Sequence, residues 1–324
     1  MLYEINNVFL QLTTKTSYTM YKLLLSIIAL CLCMAINAQN LFVGSYNIRY
    51  HNANDDHNGN VWDKRCQVIC DQVNFENPDI FGAQEVLVDP LHDMLKRLDG
   101  YDYIGVGRDD GKQAGEYAAI FYKKERIQLL RNGNFWLNET PEKPALGWDA
   151  ACIRICTWGE FKQKSSGKKF FYFNLHMDHV GMVARREAAK LVVKKIKHLA
   201  RGAPVVLTGD FNVDQTDEIY RIFTTSGVLK DSYECARIRF AENGTFNDFN
   251  PEYTTPSRID HVFVSPQLYV DRYAMLTNMY WTPLATEQTD NKSTQAPGEV
   301  AFRKAVLRLP SDHYPVFVHL KLDK

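Results

Sequence analysis

A series of short apolar runs in this chain each end or begin on a side chain that can bind a cation or carry a proton. That recurrence narrows the folds open to it. Asn47 follows the run from Leu41, Glu85 follows Ile80-Phe81-Gly82-Ala83-Gln84, and His176 follows Phe170 to Leu175. Asp210 and Asn212 follow Val205-Val206-Leu207-Thr208-Gly209, Asp260-His261 opens Val262 to Val264, and Asp312-His313 precedes Tyr314 to Val318. Strand ends are where open α/β sheets gather their chemistry.

Segments of helical period separate these runs. Trp62 to Phe75 predicts a helix, with Val61, Cys66, Ile69, Cys70 and Val73 at helical spacing, and Leu91 to Leu98 a shorter one. Gly181 to Ala200 predicts an amphipathic helix with Val192, Ile196 and Leu199 on its apolar stripe. Its cations, Arg185, Arg186, Lys190, Lys194, Lys195 and Lys197, read as a solvated face before they read as a phosphate-steering patch. Aromatic and β-branched content predicts strands at Tyr117 to Tyr122, Ile127 to Trp136, Ala151 to Phe161 and Lys169 to Leu175. Pro204 to Leu207, Ile259 to Val264 and Tyr314 to Leu322 predict further strands, and His51 to Asn60 and Trp281 to Gly298 predict loops. With no repeat and no Ser/Gly/Pro-rich linker, the economical expectation is one α/β domain from about residue 40 onward.

The N-terminus stands apart. Lys22 precedes an apolar run from Leu23 to Met34, and the small residue Ala38 follows, the pattern of a secretory signal starting at Met20. The run falls short of the ~20 apolar residues of a membrane span. Residues 1–38 are therefore expected to be a leader and 39–324 an exported domain, periplasmic or extracellular, with no stable membrane insertion once the leader is gone. The whole chain balances 38 Lys+Arg against 38 Asp+Glu over 324 residues. Removing Lys15, Lys22 and Glu4 with the leader moves that balance only to −1. Bulk charge thus argues against attachment to nucleic acid or membrane mainly by positive charge and leaves a local site open. Cys66, Cys70, Cys152, Cys156 and Cys235 remain, an odd set without a C-x-x-C pair, which argues against zinc. They read as buried thiols, with Cys152 and Cys156 on one strand face, in a compartment that permits a disulfide.

Taken singly, an Asp or Asn at a strand end caps a turn, and a lone His is a hydrogen-bonded structural residue. Taken together, two carboxylate–amide clusters and two histidines form a set suited to Mg²⁺ and phosphate chemistry. In their order along the chain, Ser45-Tyr46-Asn47-Ile48-Arg49, Gln84-Glu85, Asn174-Leu175-His176-Met177-Asp178-His179, Gly209-Asp210-Phe211-Asn212, Arg258-Ile259-Asp260-His261 and Ser311-Asp312-His313-Tyr314-Pro315-Val316 resemble the endonuclease/exonuclease/phosphatase, or DNase I-like, superfamily. Gly107-Arg108-Asp109-Asp110-Gly111, Gly115-Glu116-Tyr117 and Gly147-Trp148-Asp149 resemble the connecting motifs of bacterial exported hydrolases related to the Ccr4/nocturnin group.

That resemblance implies a four-layer sandwich of two mixed β-sheets with helices outside. It implies Glu85 as principal Mg²⁺ ligand, with Mn²⁺ as an alternative ion, Asn47 beside it and Asp312 as a further metal-side ligand. Asp210 would orient or deprotonate water, and Asn212 would bind phosphate or nucleophile. His313 would contact the scissile phosphate with Asp260 orienting it, and His176 would be a second phosphate-binding or acid histidine paired with Glu116. The reaction implied is metal-assisted in-line attack of water on a phosphate mono- or diester. The substrate would be a phosphorylated small molecule or a nucleic acid, and no protein partner is implied. Trp136, Trp148 and Trp158 could stack on bases or sugars, with core packing as the default. A nuclease of the same fold, a non-catalytic binding module and a glycosidase are the rival expectations; the histidines fit phosphate better than a glycoside.

Overall fold

The computed structural model describes residues 20–26, 40–284, 300 and 302–322. Contacts divide the chain between Asn40 and Leu41. Of the first unit, residues 20–26 are described, as helix, together with Asn40; the rest of the expected signal lies outside the described residues. No helix among the described residues is long and apolar enough to cross a membrane.

The second unit is built on two mixed sheets. The first runs β10 (Ile238–Phe240), β12 (Tyr269–Met275), β15 (Val316–Lys321), β1 (Asn40–Asn47), β2 (Ile80–Val86), β4 (Tyr117–Lys123) and β3 (Tyr101–Ile104). The second runs β5 (Ile127–Trp136), β6 (Ile155–Gln163), β7 (Lys169–His176), β8 (Val205–Asp210), β11 (Asp260–Val264) and β9 (Lys230–Asp231). Both faces of each sheet are covered, so central strands are buried throughout: every residue of β2 and β8 is buried. Inward-facing Val43, Ile80 and Ile120 of the first sheet meet Phe170, Tyr172, Val206 and Val262 of the second. On the outside of the first sheet, α2 (Trp62–Glu76) and α3 (Val88–Arg97) pack Cys66, Ile69, Val73, Leu91 and Met94 against Phe81, Ala83 and Phe121. On the outside of the second, α4 (Met182–Ala200) and α5 (Glu218–Thr224) pack Ala188, Val192, Ile196 and Phe223 against Phe173, Leu207 and Phe263. The result is the four-layer sandwich implied by the sequence motifs.

Beneath the ends that carry the site, the two sheets are joined by polar side chains rather than apolar ones. The Gln84 amide donates to the Asn174 Oδ1 at 2.6 Å, and the Thr208 hydroxyl donates to the same oxygen at 3.1 Å. Asn174 Nδ2 donates to the carbonyls of Ala83 and Ala119 at 2.9 and 2.8 Å, crossing from one sheet to the other. Gly82 makes room: a Cβ there would lie 2.3 Å from Asn174 Oδ1 and 2.4 Å from the Thr208 hydroxyl.

Three expectations are corrected. The strand expected from Ala151 starts only at Ile155, because the N–H groups of Ala151 and Cys152 donate to the Asp178 carboxylate instead of a ladder. Cys152 and Cys156 therefore share no strand face. The polar segment after His51 contains α1 (Ala53–His57), capped by Asn52 accepting from the Asp55 N–H at 2.9 Å. Trp281 lies in β13 (Tyr280–Pro283), paired with β14 (Ala305–Arg308); residues 285–298 of the expected loop lie outside the described residues. The five described cysteines are free thiols, of which Cys66, Cys70 and Cys156 are buried.

The polar joint makes a prediction. Asn174→Ala removes the shorter of the two bonds of the buried Gln84 amide, which keeps only the Ser45 hydroxyl at 3.2 Å, and the side-chain donor of two strand carbonyls, a loss of about 2–3 kcal/mol. The measurement is urea unfolding, and a variant as stable as the parent would show the joint to be dispensable.

Candidate active site

At one end of the sandwich the C-terminal ends of β1, β2, β7 and β8 and the start of β11 surround a cleft of about 420 Å³. Glu85, Glu116, His176, Asp210, Asn212, Asp312 and His313 all line it. Asn47 bridges the sheets beneath. Its Nδ2 donates to Glu85 Oε1 and to Asp210 Oδ2, each at 3.0 Å, and lies 3.4 Å from His313 Nε2. Its Oδ1 accepts from the Arg49 N–H at 3.0 Å. The amide thus turns its nitrogen toward the carboxylates, and a half-turn would present its oxygen.

The backbone bends sharply to aim these groups. Arg49, Glu85 and Asn212 have φ of 55°, 62° and 50°, left-handed values that cost a non-glycine residue on the order of 1 kcal/mol. In return, Glu85 Oε2 accepts from the Tyr50 N–H at 3.0 Å, and the Asn212 N–H donates to Asp210 Oδ1 at 2.9 Å. Buried Arg65 from α2 donates to the carbonyls of Ile48 (2.8 Å) and Pro310 (3.3 Å). The Ser311 hydroxyl donates to the Asn47 carbonyl at 2.7 Å. These bonds tie the chain after β1 to the Ser311–His313 segment.

The two histidines are driven apart electrostatically. His313 Nδ1 donates to Asp260 Oδ2 at 2.8 Å. Burial opposes its charge, but the Asp260 carboxylate, with Asp210 and Asp312 behind it, holds the ring protonated well above the ordinary histidine range. His176 is pushed well below that range by burial and by the cations Arg154 and Arg108, so it is neutral. Such a divided pair is how one cleft offers both a proton donor and an acceptor. Asp210 is pushed up to about 7 by burial and by the facing charge of Asp260, its register partner across β8 and β11.

Oxygens of Glu85 and Asp210 and a nitrogen of His313 lie within 4.8 Å of one another. His313 is an imidazolium and does not ligate. The two buried carboxylates share one neutral amide, and the charged His313 ring, 3.7 Å from Asp210 Oδ2, is also bonded to Asp260, so their charge is not fully offset without a cation. Carboxylate and amide oxygens are the donor set of a hard divalent ion, so Glu85, Asp210 and a turned Asn47 fit Mg²⁺ or Mn²⁺. Asp312 is buried at the same cleft but faces Arg49 Nη1 at 3.4 Å.

Some expected contacts are rearranged. Glu116 lies 3.7 Å from His176 Nδ1, beyond a hydrogen bond, because Arg108 Nη1 takes its carboxylate at 2.6 Å. Asn212 spends one amide proton on the Met177 carbonyl at 3.0 Å. Asp55, in the polar segment after His51, is buried and holds Arg49 Nε at 2.8 Å. Trp136 is buried, and Trp148 and Trp158 pack on the outer core of the second sheet, so the default for all three holds. Arg108, Arg154, His179 and Phe246 also line the cleft, although residue type and spacing assign them no role there. Phe246 meets the His313 ring edge-on at 5.1 Å, and the neighbouring Thr245 hydroxyl accepts from the Asp260 N–H at 3.0 Å.

A second acidic cluster, Cys152, Asp178 and His179, lies at the cleft wall. Asp178 is no metal ligand: its two oxygens accept from the N–H groups of Ala151, Cys152, Val180 and Gly181.

The chain belongs to the Endonuclease/Exonuclease/phosphatase family, whose pattern it matches over residues 44–313. Members are hydrolases of phosphate esters that generally use a divalent metal ion. It is similar to a mannosyl-6-phosphatase of Bacteroides thetaiotaomicron at 49% identity, covering 86% of this chain and 99% of that one with a TM-score of 0.79. A second structure from the same organism, an endonuclease/exonuclease/phosphatase family protein, is 49% identical with a TM-score of 0.80, covering 88% of this chain and 98% of that one. Nocturnin of Drosophila melanogaster is 24% identical over 183 residues, and the match covers 52% of this chain but only 27% of nocturnin's length.

Asp178 generates a pH prediction. Burial raises its carboxyl, and the four backbone donors outweigh that and hold it below the ordinary carboxylate range. A depressed acid stabilises the fold above its unfolded value, near 4, and loses that contribution as pH falls through the folded value. Asp178→Asn is therefore expected to be less stable than the parent at neutral pH, with the gap closing below about pH 4. Denaturant midpoints across pH check it; a gap constant with pH would refute the account.

Proposed function

We propose that this family member is a metal-dependent hydrolase of phosphorylated sugars, exported from the cell. The observation that carries the phosphoesterase reading is the convergence in one cleft of Glu85 and Asp210 with charged His313 and neutral His176. The sugar is supported by the 49% identity to a mannosyl-6-phosphatase over nearly the whole of that chain. Export is supported by Lys22, the apolar run from Leu23 to Met34 and Ala38.

The residues divide the work as follows. Glu85, Asp210 and the Asn47 amide would hold Mg²⁺ or Mn²⁺, which when bound polarises phosphoryl oxygens and makes water more acidic. Asp210, oriented by the Asn212 N–H, aims a water at phosphorus and accepts its proton. His313 presents Nε2–H to the phosphoryl group, with Asp260 fixing its tautomer and charge. The second amide proton of Asn212 is available to a phosphoryl oxygen. Water adds to phosphorus, the ester oxygen leaves with a proton as the sugar hydroxyl, and no covalent enzyme intermediate is needed. Rate comes from positioning and electrostatics.

Purified protein with Mg²⁺, assayed against mannose 6-phosphate, other hexose phosphates, nucleotides, RNA and DNA, is expected to release phosphate from the sugar phosphates. Turnover of nucleic acid alone would replace this reading with that of a nuclease. EDTA is expected to abolish activity, and Mg²⁺ or Mn²⁺ to restore it. His313→Ala and Asp210→Asn should each lower kcat by about 10²- to 10⁴-fold with an unchanged far-UV spectrum. Near-native turnover in both variants contradicts the proposed roles.

A further inference from the structure

On the side of the cleft away from the metal-site carboxylates, two guanidiniums are buried with donors to spare. Arg154 has a side chain only 5% exposed. Its Nη2 donates to His179 Nδ1 at 3.0 Å, while its Nε is buried with no hydrogen-bond partner. The nearest carboxylate, Asp178, stands 3.6 Å from that Nε, with its own oxygens engaged by four backbone N–H groups. Arg108 is 13% exposed, pairs Nη1 with Glu116, and likewise buries an Nε without a hydrogen bond, with Asp109 Oδ1 standing 3.9 Å away. His176 stands between this pair and the metal side, with Nε2 3.4 Å from Asp210 Oδ2 and Nδ1 3.7 Å from Glu116 Oε2.

Both arginines are held in place before any ligand arrives. The Arg108 N–H donates to the Glu116 carbonyl at 3.1 Å, and its own carbonyl accepts from the Trp136 indole at 2.7 Å. The Arg154 carbonyl accepts from the Leu137 N–H at 2.9 Å. A buried guanidinium with unspent donors is costly unless an anion completes it. Its planar fork suits phosphoryl oxygens.

Resting on the phosphoesterase reading above, we propose that Arg154 and Arg108 receive the terminal oxygens of the substrate phosphate and so set this cleft for dianionic monoesters over diesters. A monoester near neutral pH carries a charge of about −1.5 to −2 on three terminal oxygens. A diester has lost one of those oxygens, with its charge, to a second ester bond. A cleft whose metal side accounts for its own carboxylates, and in which Glu116 already faces Arg108, therefore has a use for the further cation Arg154 and for the unspent Arg108 donors only when the substrate brings the extra charge. Arg154, whose one guanidinium hydrogen bond goes to an imidazole where that of Arg108 goes to a carboxylate, carries more of the discrimination.

The test compares p-nitrophenyl phosphate with methyl p-nitrophenyl phosphate, which share a leaving group, on the Mg²⁺-loaded full chain. Arg154→Met is expected to lower the ratio of monoester to diester kcat/KM by at least about tenfold, the scale of a lost charge-assisted hydrogen bond. Arg108→Met should lower it less, and Arg154→Lys should recover only part because it lacks the fork. The ratio is internal to each preparation, so it is insensitive to a fraction of misfolded protein. Binding of inorganic phosphate, measured by calorimetry, should weaken in Arg154→Met by a similar factor. Equal losses on both substrates, with phosphate binding unchanged, would make the arginines structural and overturn the inference while leaving the phosphoesterase reading intact. Should the parent hydrolyse neither ester, that reading fails, and the phosphate titration alone decides whether the arginines bind the anion.

Discussion

The structure hangs on a few polar contacts between two sheets whose facing surfaces are otherwise largely apolar; besides the Asn174 joint, the Tyr172 hydroxyl donates to the Gly44 carbonyl at 2.6 Å and accepts from the Gly82 N–H at 3.1 Å. Gly82 has no side chain, so Asn174 reaches across from β7 and bonds the backbone of β2 and β4 while accepting from Gln84 and Thr208. Apolar packing has no direction and would tolerate a small slide of one sheet over the other. Hydrogen bonds with buried partners do not tolerate it, because each lost bond leaves an unsatisfied group in a low dielectric. Just above this joint, Asn47 of the first sheet meets Asp210 of the second at 3.0 Å. A site assembled half from each sheet requires that registration.

The site itself is a balance of charges that cannot all be satisfied within the protein. Glu85, Asp210, Asp260 and Asp312 are buried together, offset by His313, Arg49 and one amide. On the opposite side Arg108 and Arg154 are buried with incomplete bonding. An excess of negative charge at one wall and of unspent donors at the other is the arrangement expected of a cleft that holds a cation beside an anionic substrate. The left-handed backbone at Arg49, Glu85 and Asn212 belongs to the same design, since each bend aims a side chain or N–H into that space.

Much of this was legible in the residues. Strand ends carrying Asn47, Glu85, His176, Asp210, Asp260 and His313 are periodic features, and the structure brings all six to one end of the sandwich. The longer elements were equally plain, because helical or alternating apolar spacing sustained over many residues arises where a helix or strand buries one face. Short elements such as β9 and α1 were not, since a few residues carry no period. Nor was the partner of Glu116, because Arg108 and His176 are both within its reach and distance alone chooses between them.

By itself, the sequence determined which chemical groups are present, their order, and the strand ends on which they sit. Those properties are local and follow from residue type and spacing. Tertiary structure decided which groups are buried and which charges face one another: that Asp260 holds His313 charged, that burial with Arg154 and Arg108 keeps His176 neutral, and that Asp178 serves the backbone and not a metal. The physical reason is that Coulomb and desolvation effects depend on distances and burial between residues far apart in the chain. Those distances exist only once the two sheets are locked together.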